Sequence, residues 1–299
     1  MVITIGAFDG FHKGHAELFR KCREISSDWG VVTFEPHPAE FMGRIKPLFR
    51  LKEKKLLGKF LGIPEICVLK FDEALKNLTP EKFWDFLKSK IEVDGLVIGS
   101  DFHFGHGRSG NAELICELAV ADGISRSRVI TVDLVNKSEY SSSALRQLVS
   151  TGNVRKASEL LGYPFFIVSR VIHGDERGRT MGIPTANLEV DEGRVIPADG
   201  VYSCAVRAKG EYRCGAVSIG NNPTFNLEGT RIEVHLPGFN GDIYGEEITV
   251  MFLERLRGMR KFSGKEELIL QIQKDIDESR RGFSEFGEYV YRHTLPLEQ

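Results

Sequence analysis

Apolar residues recur in this chain first as short unbroken runs between helical stretches, and later in alternation. Val2, Ile3, Ile5 and Phe8 form a β-branched, almost wholly apolar run, the pattern of a strand covered on both faces in a parallel sheet. Ala16, Leu18, Phe19, Cys22 and Ile25 follow at helical spacing with Lys and Arg between them. The pattern of strand, glycine turn and helix then repeats. Gly30 to Pro36 (GVVTFEP), Ile66 to Phe71, Gly95 to Ser100 and Val129 to Leu134 read as the second to fifth strands. Leu51, Leu56, Leu57, Phe60 and Leu61 predict an amphipathic helix with its lysines outward. Thr79-Pro80-Glu81 opens another, with Thr as N-cap and Pro at the first helical position, and Phe83, Trp84, Phe86, Leu87 and Ile91 supply its buried side. Strands alternating with helices predict a doubly wound parallel sheet, with ligands at the C-terminal edge of its strands.

Beyond a short helix flanked by glycines, Thr151 to Tyr163, the period changes. FFIVSRVI, GVYSCAVRA, YRCGAVSIG, TRIEVHL and EEITVMFL, between Phe165 and Arg257, are β-rich runs separated by glycine turns, which predicts an antiparallel closed or nearly closed β-barrel. Ser263 and Glu266 read as a capping box, and Leu268, Ile272 and Ile276 predict a C-terminal helix packed on the barrel. The domain boundary falls near residue 160, giving domains 1–158 and 159–299. The class is α/β followed by β. No function attaches to the aromatic tail with Phe283, Phe286, Tyr289 and Tyr291.

Composition narrows this picture. A chain of 299 residues is long enough for two cores. With 40 Lys plus Arg against 42 Asp plus Glu, a net charge of -2 gives no signal for nucleic acid. No apolar run approaches the roughly 18 residues of a membrane span, and the N-terminus shows no secretory pattern, so a soluble cytoplasmic protein is expected. Cys22, Cys67, Cys116, Cys204 and Cys214 are scattered and lack CxxC spacing, which argues against a disulfide framework or zinc site and for core filler.

Several strings carry chemistry. In GAFDGFHKGH, Gly6 to His15, a strand feeds a helix start, where unpaired amides and the macrodipole suit a phosphate. His12 and His15 stand at that end, able to add charge or hydrogen bonds as a phosphate gains charge in a transition state. FEPHPAEF carries His37 and Pro38. DFHFGHGRSGN, Asp101 to Asn111, predicts a mobile polar loop with Asp101, His103, His106 and Arg108; metal binding by its histidines is the alternative to a phosphate-facing role. In SSSALR, Ser141 to Arg146, hydroxyls either cap a helix or meet phosphates, and Arg146 offers a planar fork. In the barrel half, Gly174, Gly178 and Gly182 with Arg177 and Arg179 predict a phosphate-cradling loop. Thr185 and Asn187 lie two apart and point the same way in extended chain, offering oxygens to a hard cation such as Mg²⁺. Glu233 is either an ordinary strand glutamate or a base for an attacking alcohol.

GAFDGFHKGH resembles the signature of the adenylyltransferase half of bacterial bifunctional riboflavin kinase/FAD synthetases, within the HxGH nucleotidyltransferase superfamily. FEPHP, GxDFxFGxxxxGN (Gly99, Asp101, Phe102, Phe104, Gly105, Gly110, Asn111) and SSSALR stand at the family's places, the last with Ser143 for Thr and Leu145 for Ile. GRTMGIPTANL resembles the riboflavin kinase signature, followed in order by GVY, GNNPTF, EVH and DIYG. The likeness spans essentially the whole chain and implies a Rossmann-like nucleotidyltransferase domain followed by a riboflavin kinase barrel. It implies phosphorylation of riboflavin to FMN with ATP, then adenylylation of FMN to FAD with release of pyrophosphate. By the same likeness Glu233 is the general base and His12 and His15 serve adenylyl transfer. Gly6, Phe8, Gly14, Ser142, Ser143, Arg146, Gly174, Arg179 and Gly182 meet ATP or its phosphates. His37, Pro38, Asp101, Phe104 and Arg257 meet flavin, and Thr185, Asn187 and Asn111 hold Mg²⁺ with ATP. The chain departs from the pattern at Pro237 and Gly238, where an acidic residue is usual, and at Met259, where RxExKF has glutamate. The alternatives are a related HxGH nucleotidyltransferase acting on another phosphate, and a flavin-binding regulator with an inactive site.

Overall fold

The computed structural model describes residues 1–133, 140–173, 183–220 and 230–293, with side chains to residue 287. It divides into two compact units, Met1–Ser142 and Ser143–Glu298.

In the first unit the elements are β1 (Val2–Ile5), α1 (Ala16–Ile25), β2 (Trp29–Glu35), α2 (Pro38–Phe41), α3 (Leu51–Phe60), β3 (Glu65–Lys70), α4 (Glu73–Lys76), α5 (Pro80–Lys90), β4 (Gly95–Gly99), β5 (His103–Phe104), β6 (Gly110–Asn111), α6 (Ala112–Ala121) and β7 (Val129–Val132). The main sheet runs β3-β2-β1-β4-β7 with every pairing parallel. β1 is central and wholly buried. Ile3 and Ile5 join Val32, Leu96 and Ile98 against Phe83, Trp84 and Leu87 of α5 and Ile115 of α6, while Leu18, Phe19 and Cys22 of α1 are buried too, α1 packing against β1, β2 and β4. Covering both faces is why the strands read as continuous apolar runs. The chain order reverses between β1 and β4, and such a switch point opens a crevice at the strand C-termini.

Three expectations change here. Leu134 lies outside the described residues, and the fifth strand of the sheet is Val129–Val132. The Asp101–Asn111 stretch is not a plain loop: His103 pairs with Asn111 and Phe104 with Gly110 in a two-stranded ribbon. On α3, Lys52, Lys55 and Lys59 face out, but Glu53 and Lys54 are fully buried.

The second unit begins one residue into α7 (Ser142–Ser150), continues through α8 (Val154–Leu161), β8 (Phe166–Ile172), β9 (Thr185–Leu188), β10 (Gly200–Ala208), β11 (Glu211–Gly220), β12 (Arg231–His235) and β13 (Glu247–Arg257), and closes with α9 (Lys265–His293). The strands form a closed barrel in the order β10-β11-β12-β9-β8-β13, every neighbouring pair antiparallel. β10 and β11 meet through a two-residue turn in which Lys209 and Gly210 take φ of 50° and 83°, the primed geometry whose twist matches a hairpin. Val206, Val217, Val234, Leu188, Val171 and Phe252 are buried core residues on the strands. On the outside α9 packs against β10, β11 and β13. The compact unit begins before residue 160 because the buried face of α8, Val154, Ala157, Leu160 and Leu161, packs on β13; the change of period marks the first barrel strand, not the change of packing.

Two side-chain contacts fix α9. The Ser263 amide and hydroxyl both donate to Glu267, one residue beyond the expected Glu266. Arg257 donates Nε and Nη2 to the Asp275 carboxylate at 2.8 to 3.1 Å, and Gln271 adds a third donor. This fork braces α9 to β13, and Asp275 is only 3% exposed. Asp275→Ala leaves a largely covered guanidinium without its anion and should lower stability by about 2 to 3 kcal/mol. Urea unfolding followed by far-ultraviolet circular dichroism checks this; an unchanged midpoint refutes the brace.

Candidate active sites

The first site grows from the end of β1. Phe8 takes a left-handed φ of 44°, and its ring lies edge-on to His15 at 4.9 Å between centroids and against Gly6. A single 3-10 turn, Lys13–His15, leads directly into α1. It stacks the His12 and His15 rings at 3.8 Å with 23° between their planes. Gly14 fits tightly at this point, because a Cβ there would stand 3.0 Å from both His12 Nδ1 and the Tyr140 Cβ. No side chain caps the start of α1; there the Ala16 amide donates to the Lys13 carbonyl and the His15 amide to the His12 carbonyl.

Electrostatics set the state of the pair. Burial pushes His12 down to about 4 although Asp9 pulls the other way. His15 is held well below its usual range, by burial first and by His12 second. Both imidazoles are therefore neutral at pH 7, and both Nδ1 atoms are buried with no hydrogen-bond partner among the described residues. Two unsatisfied imidazole nitrogens at an uncapped helix start suit a group that brings its own negative charge and acceptor oxygens. The sequence left open standing charge or hydrogen bonds; in this structure burial keeps both rings uncharged.

Under the pair, the Asp9 carboxylate accepts from the amides of Leu48 at 2.9 and 3.1 Å and Phe49 at 3.3 Å, and the Ser142 hydroxyl donates to the Asp9 carbonyl at 3.0 Å. His37 Nδ1 accepts from the Ala39 amide and caps α2, whose first residue is Pro38. When neutral, that ring carries its proton on Nε2. Asp101 is exposed, and its carbonyl bonds His103 Nδ1. Two further motif residues also hold structural positions. Phe104 is buried in the core, stacked on Phe102 at 5.5 Å and tilted against Phe83 at 5.4 Å. Asn111 Oδ1 accepts from Leu114 N as the N-cap of α6.

The second unit gathers its residues by register. Asn187 lies opposite Glu233 and Thr185 opposite His235, while Ser218 lies opposite Glu233 on its other side. Because alternate residues share a face, a hydroxyl, an amide and a carboxylate form one half-buried oxygen-rich row. Ile232 and Val234 point the other way and are buried. His235 Nδ1 donates to the Pro184 carbonyl at 2.8 Å and so ties down the residue before Thr185. Ser143 and Arg146 lie in this unit, with Arg146 Nη2 donating to Ser143 Oγ. Gly174, Arg177, Gly178, Arg179, Gly182 and most of GNNPTF lie outside the described residues. Among the described residues no cluster of three or more His, Cys, Asp or Glu forms a ready metal site, and the cysteines are free.

The FAD synthetase family matches residues 1–144, and the riboflavin kinase family matches residues 161–283. A bifunctional riboflavin kinase/FMN adenylyltransferase from Listeria monocytogenes is 34% identical, over 96% of this chain and 94% of the relative. The chain belongs to that bifunctional family. Members from Bacillus subtilis and Escherichia coli K12 are 36% and 35% identical, over 95% and 94% of this chain and 92% of each relative. A crystal structure described as a macrolide-efflux protein from Streptococcus pneumoniae shares the fold at a TM-score of 0.81 and 33% identity, over 93% of both chains. Among the described residues of the present family member, no helix is long and apolar enough to cross a membrane.

Sequence reasoning overlooked Asp9, Lys54 and the anchoring role of His235. Asp9 stands inside the glycine-rich motif, and His235 is two residues from Glu233, so period-two reading places it on the same face. The pH dependence of the first unit follows from His12. Its folded pKa is about 4 against an ordinary 6.5, so between these values the unfolded chain takes up a proton that the folded chain refuses. Stability is complete above pH 6.5 and falls as the pH drops towards 4, by about 3 kcal/mol from this group. His12→Asn should flatten that decline in melting temperatures read from Trp29 and Trp84, both in the first unit. An unchanged slope would assign the loss to other groups.

Proposed function

We propose that the two units act in turn on one flavin, the barrel making FMN from riboflavin and the parallel-sheet unit making FAD from FMN. The observation that carries this reading is the fall of the two family matches on separate units of the chain. As functional domains we take 1–158 for adenylyl transfer and 159–299 for the kinase. Both reactions consume ATP, which suits a cytoplasmic enzyme whose partners are ATP, riboflavin, FMN and FAD, and a net charge of -2 offers nucleic acid little.

In the kinase step Glu233 takes the proton of the riboflavin 5'-hydroxyl as its oxygen attacks the γ-phosphorus and ADP leaves. Asn187 and Thr185 stand across and beside it by register, and their uncharged oxygens suit a hard divalent cation. These residues would hold Mg²⁺ together with ATP. Bound there, it would neutralise charge on the phosphates. The GRTMGIP stretch, with Gly174, Arg179 and Gly182, cradles the phosphates on the strength of its motif.

In the second step an FMN phosphate oxygen attacks the α-phosphorus of ATP and the bond to pyrophosphate breaks. The nucleophile is already an anion, so no base is needed, and the work is positioning and charge stabilisation. His12 and His15 hydrogen-bond the phosphates at the start of α1, with Gly6, Phe8 and Gly14 shaping the turn and Ser142 beside it. We read Ser143 and Arg146 as phosphate contacts on the motif alone. His37, Pro38 and Asp101 take the flavin side of this site. Arg257 takes the flavin side of the barrel site, at the strand end that its Asp275 brace steadies.

His12→Ala and His15→Ala should each lower FAD formation from FMN by about 100-fold or more while riboflavin phosphorylation continues. Glu233→Gln should do the reverse, lowering FMN formation by about 100-fold or more. Chromatography of the products from riboflavin and from FMN, each with Mg-ATP, separates the two steps; parallel loss of both in any single variant would overturn the two-site reading. Asn187→Ala should raise the Mg²⁺ concentration needed for half-maximal FMN formation while leaving FAD formation from FMN unchanged. Titration of each step with Mg²⁺ after chelation reads this directly.

A further inference from the structure

The buried lysine of α3 is a charged group that neither reaction uses. Lys54 has 0% exposure, a strongly unfavourable place for an ammonium unless its surroundings compensate. Its Nζ donates to the Ala7 carbonyl at 3.1 Å, and that carbonyl also accepts from the Thr33 hydroxyl at 3.0 Å. Both lone pairs of one turn oxygen are thus engaged by donors from other elements, α3 and β2. Burial lowers the Lys54 pKa, while Asp9, Glu35 and Glu40 pull it back towards the charged form; Arg50 and Glu53 complete the charged surroundings.

The next residue is the left-handed Phe8, whose ring meets His15 edge-on. The residue after that is Asp9, held by the amides of Leu48 and Phe49 just ahead of α3. α3 and its lead-in therefore grip the turn on both sides of Phe8, through Lys54 on Ala7 and through two amides on Asp9. We propose that Lys54 is a positioning residue for adenylyl transfer, holding the Ala7 carbonyl so that Phe8 stays against His15 and the two imidazoles stay stacked. It touches no substrate and acts through Ala7 and Phe8. The inference rests on the reading of the His12 and His15 site given above.

Lys54→Met keeps the volume and removes the donor, and because it leaves Asp9, Glu35 and Glu40 without this cation it also lowers the stability of the first unit. The expected result is a kcat for FAD formation from FMN at least tenfold lower, with the KM for ATP within about twofold, riboflavin phosphorylation unchanged, and the melting of the first unit, read from Trp29 and Trp84, lowered but still above the assay temperature. Thr33→Val removes the other donor without touching charge and should lower the same kcat in the same direction. An unchanged kcat in folded Lys54→Met, or an equal fall in both activities, overturns the proposal. Should Lys54→Met fail to fold, Thr33→Val decides, a lowered kcat upholding it and an unchanged one overturning it. A wild-type chain that makes no FAD in the same assay overturns instead the reading of the site. The imidazole proton resonances of His12 and His15 then judge the positioning role, upholding it if they move in Lys54→Met and overturning it if they stay.

Discussion

β1 ends in a turn that an L-residue adopts only with support. Phe8 stands at φ 44°, a conformation that costs roughly 1 kcal/mol or more for a bulky side chain, and the surrounding contacts over-determine it. Its ring is enclosed by Phe11, Phe19 and His15, the carbonyl before it accepts from Lys54 and Thr33, and the carboxylate after it caps the entry to α3. Every feature of the His12 and His15 site follows from this corner. It brings the chain off the strand in the direction that lets the 3-10 turn run into α1 and stacks the two rings over Gly14.

The two units solve the problem of convergence differently. In the parallel sheet, residues from distant parts of the chain meet because each β-strand delivers its following turn to the same edge, and the order reverses between β1 and β4. Such a site is built from loops, and each loop needs its own anchor. The caps at His37 and Asn111 and the Asp9 carboxylate are those anchors. In the barrel the ladder itself aligns Asn187, Glu233 and Ser218 across three strands. A one-residue slip would turn the whole row away, and the buried alternation of Ile232 and Val234 resists that slip.

This difference explains what was legible in the sequence. Strands buried on both faces and an alternating barrel leave strong periodic signals, so both architectures and the order of their elements could be read, and the spacing of His12, Gly14 and His15 carried its own steric reason. Thr185, Asn187 and Glu233 were legible because period two is rigid. Residues whose role depends on what arrives from elsewhere were not. Lys54 looked like one more outward lysine, because nothing in α3 reveals that Ala7 waits on its inner side. Nor did the motif reveal that Phe104 stacks on Phe102 in the core. Arg257 finds Asp275 on the next element, a pairing with no local signature. Glu267 takes the cap assigned to Glu266, a shift that helix geometry alone decides.

The protonation state of the histidines gives the proposed chemistry its final constraint. A permanent cation beside the α1 amides would bind ATP and the transition state alike, and such uniform binding does not lower the barrier of the bound complex. Burial keeps His12 and His15 neutral when no phosphate is near. Negative charge placed beside them raises their proton affinity, so their interaction strengthens further as charge moves towards the departing pyrophosphate. The kinase unit faces the opposite need, since its nucleophile is a neutral hydroxyl whose proton must be taken, and it places a carboxylate in the row instead of an imidazole pair. One chain thus meets two phosphate-transfer problems with two arrangements of charge, and in each the nucleophile's own protonation state dictates which one fits.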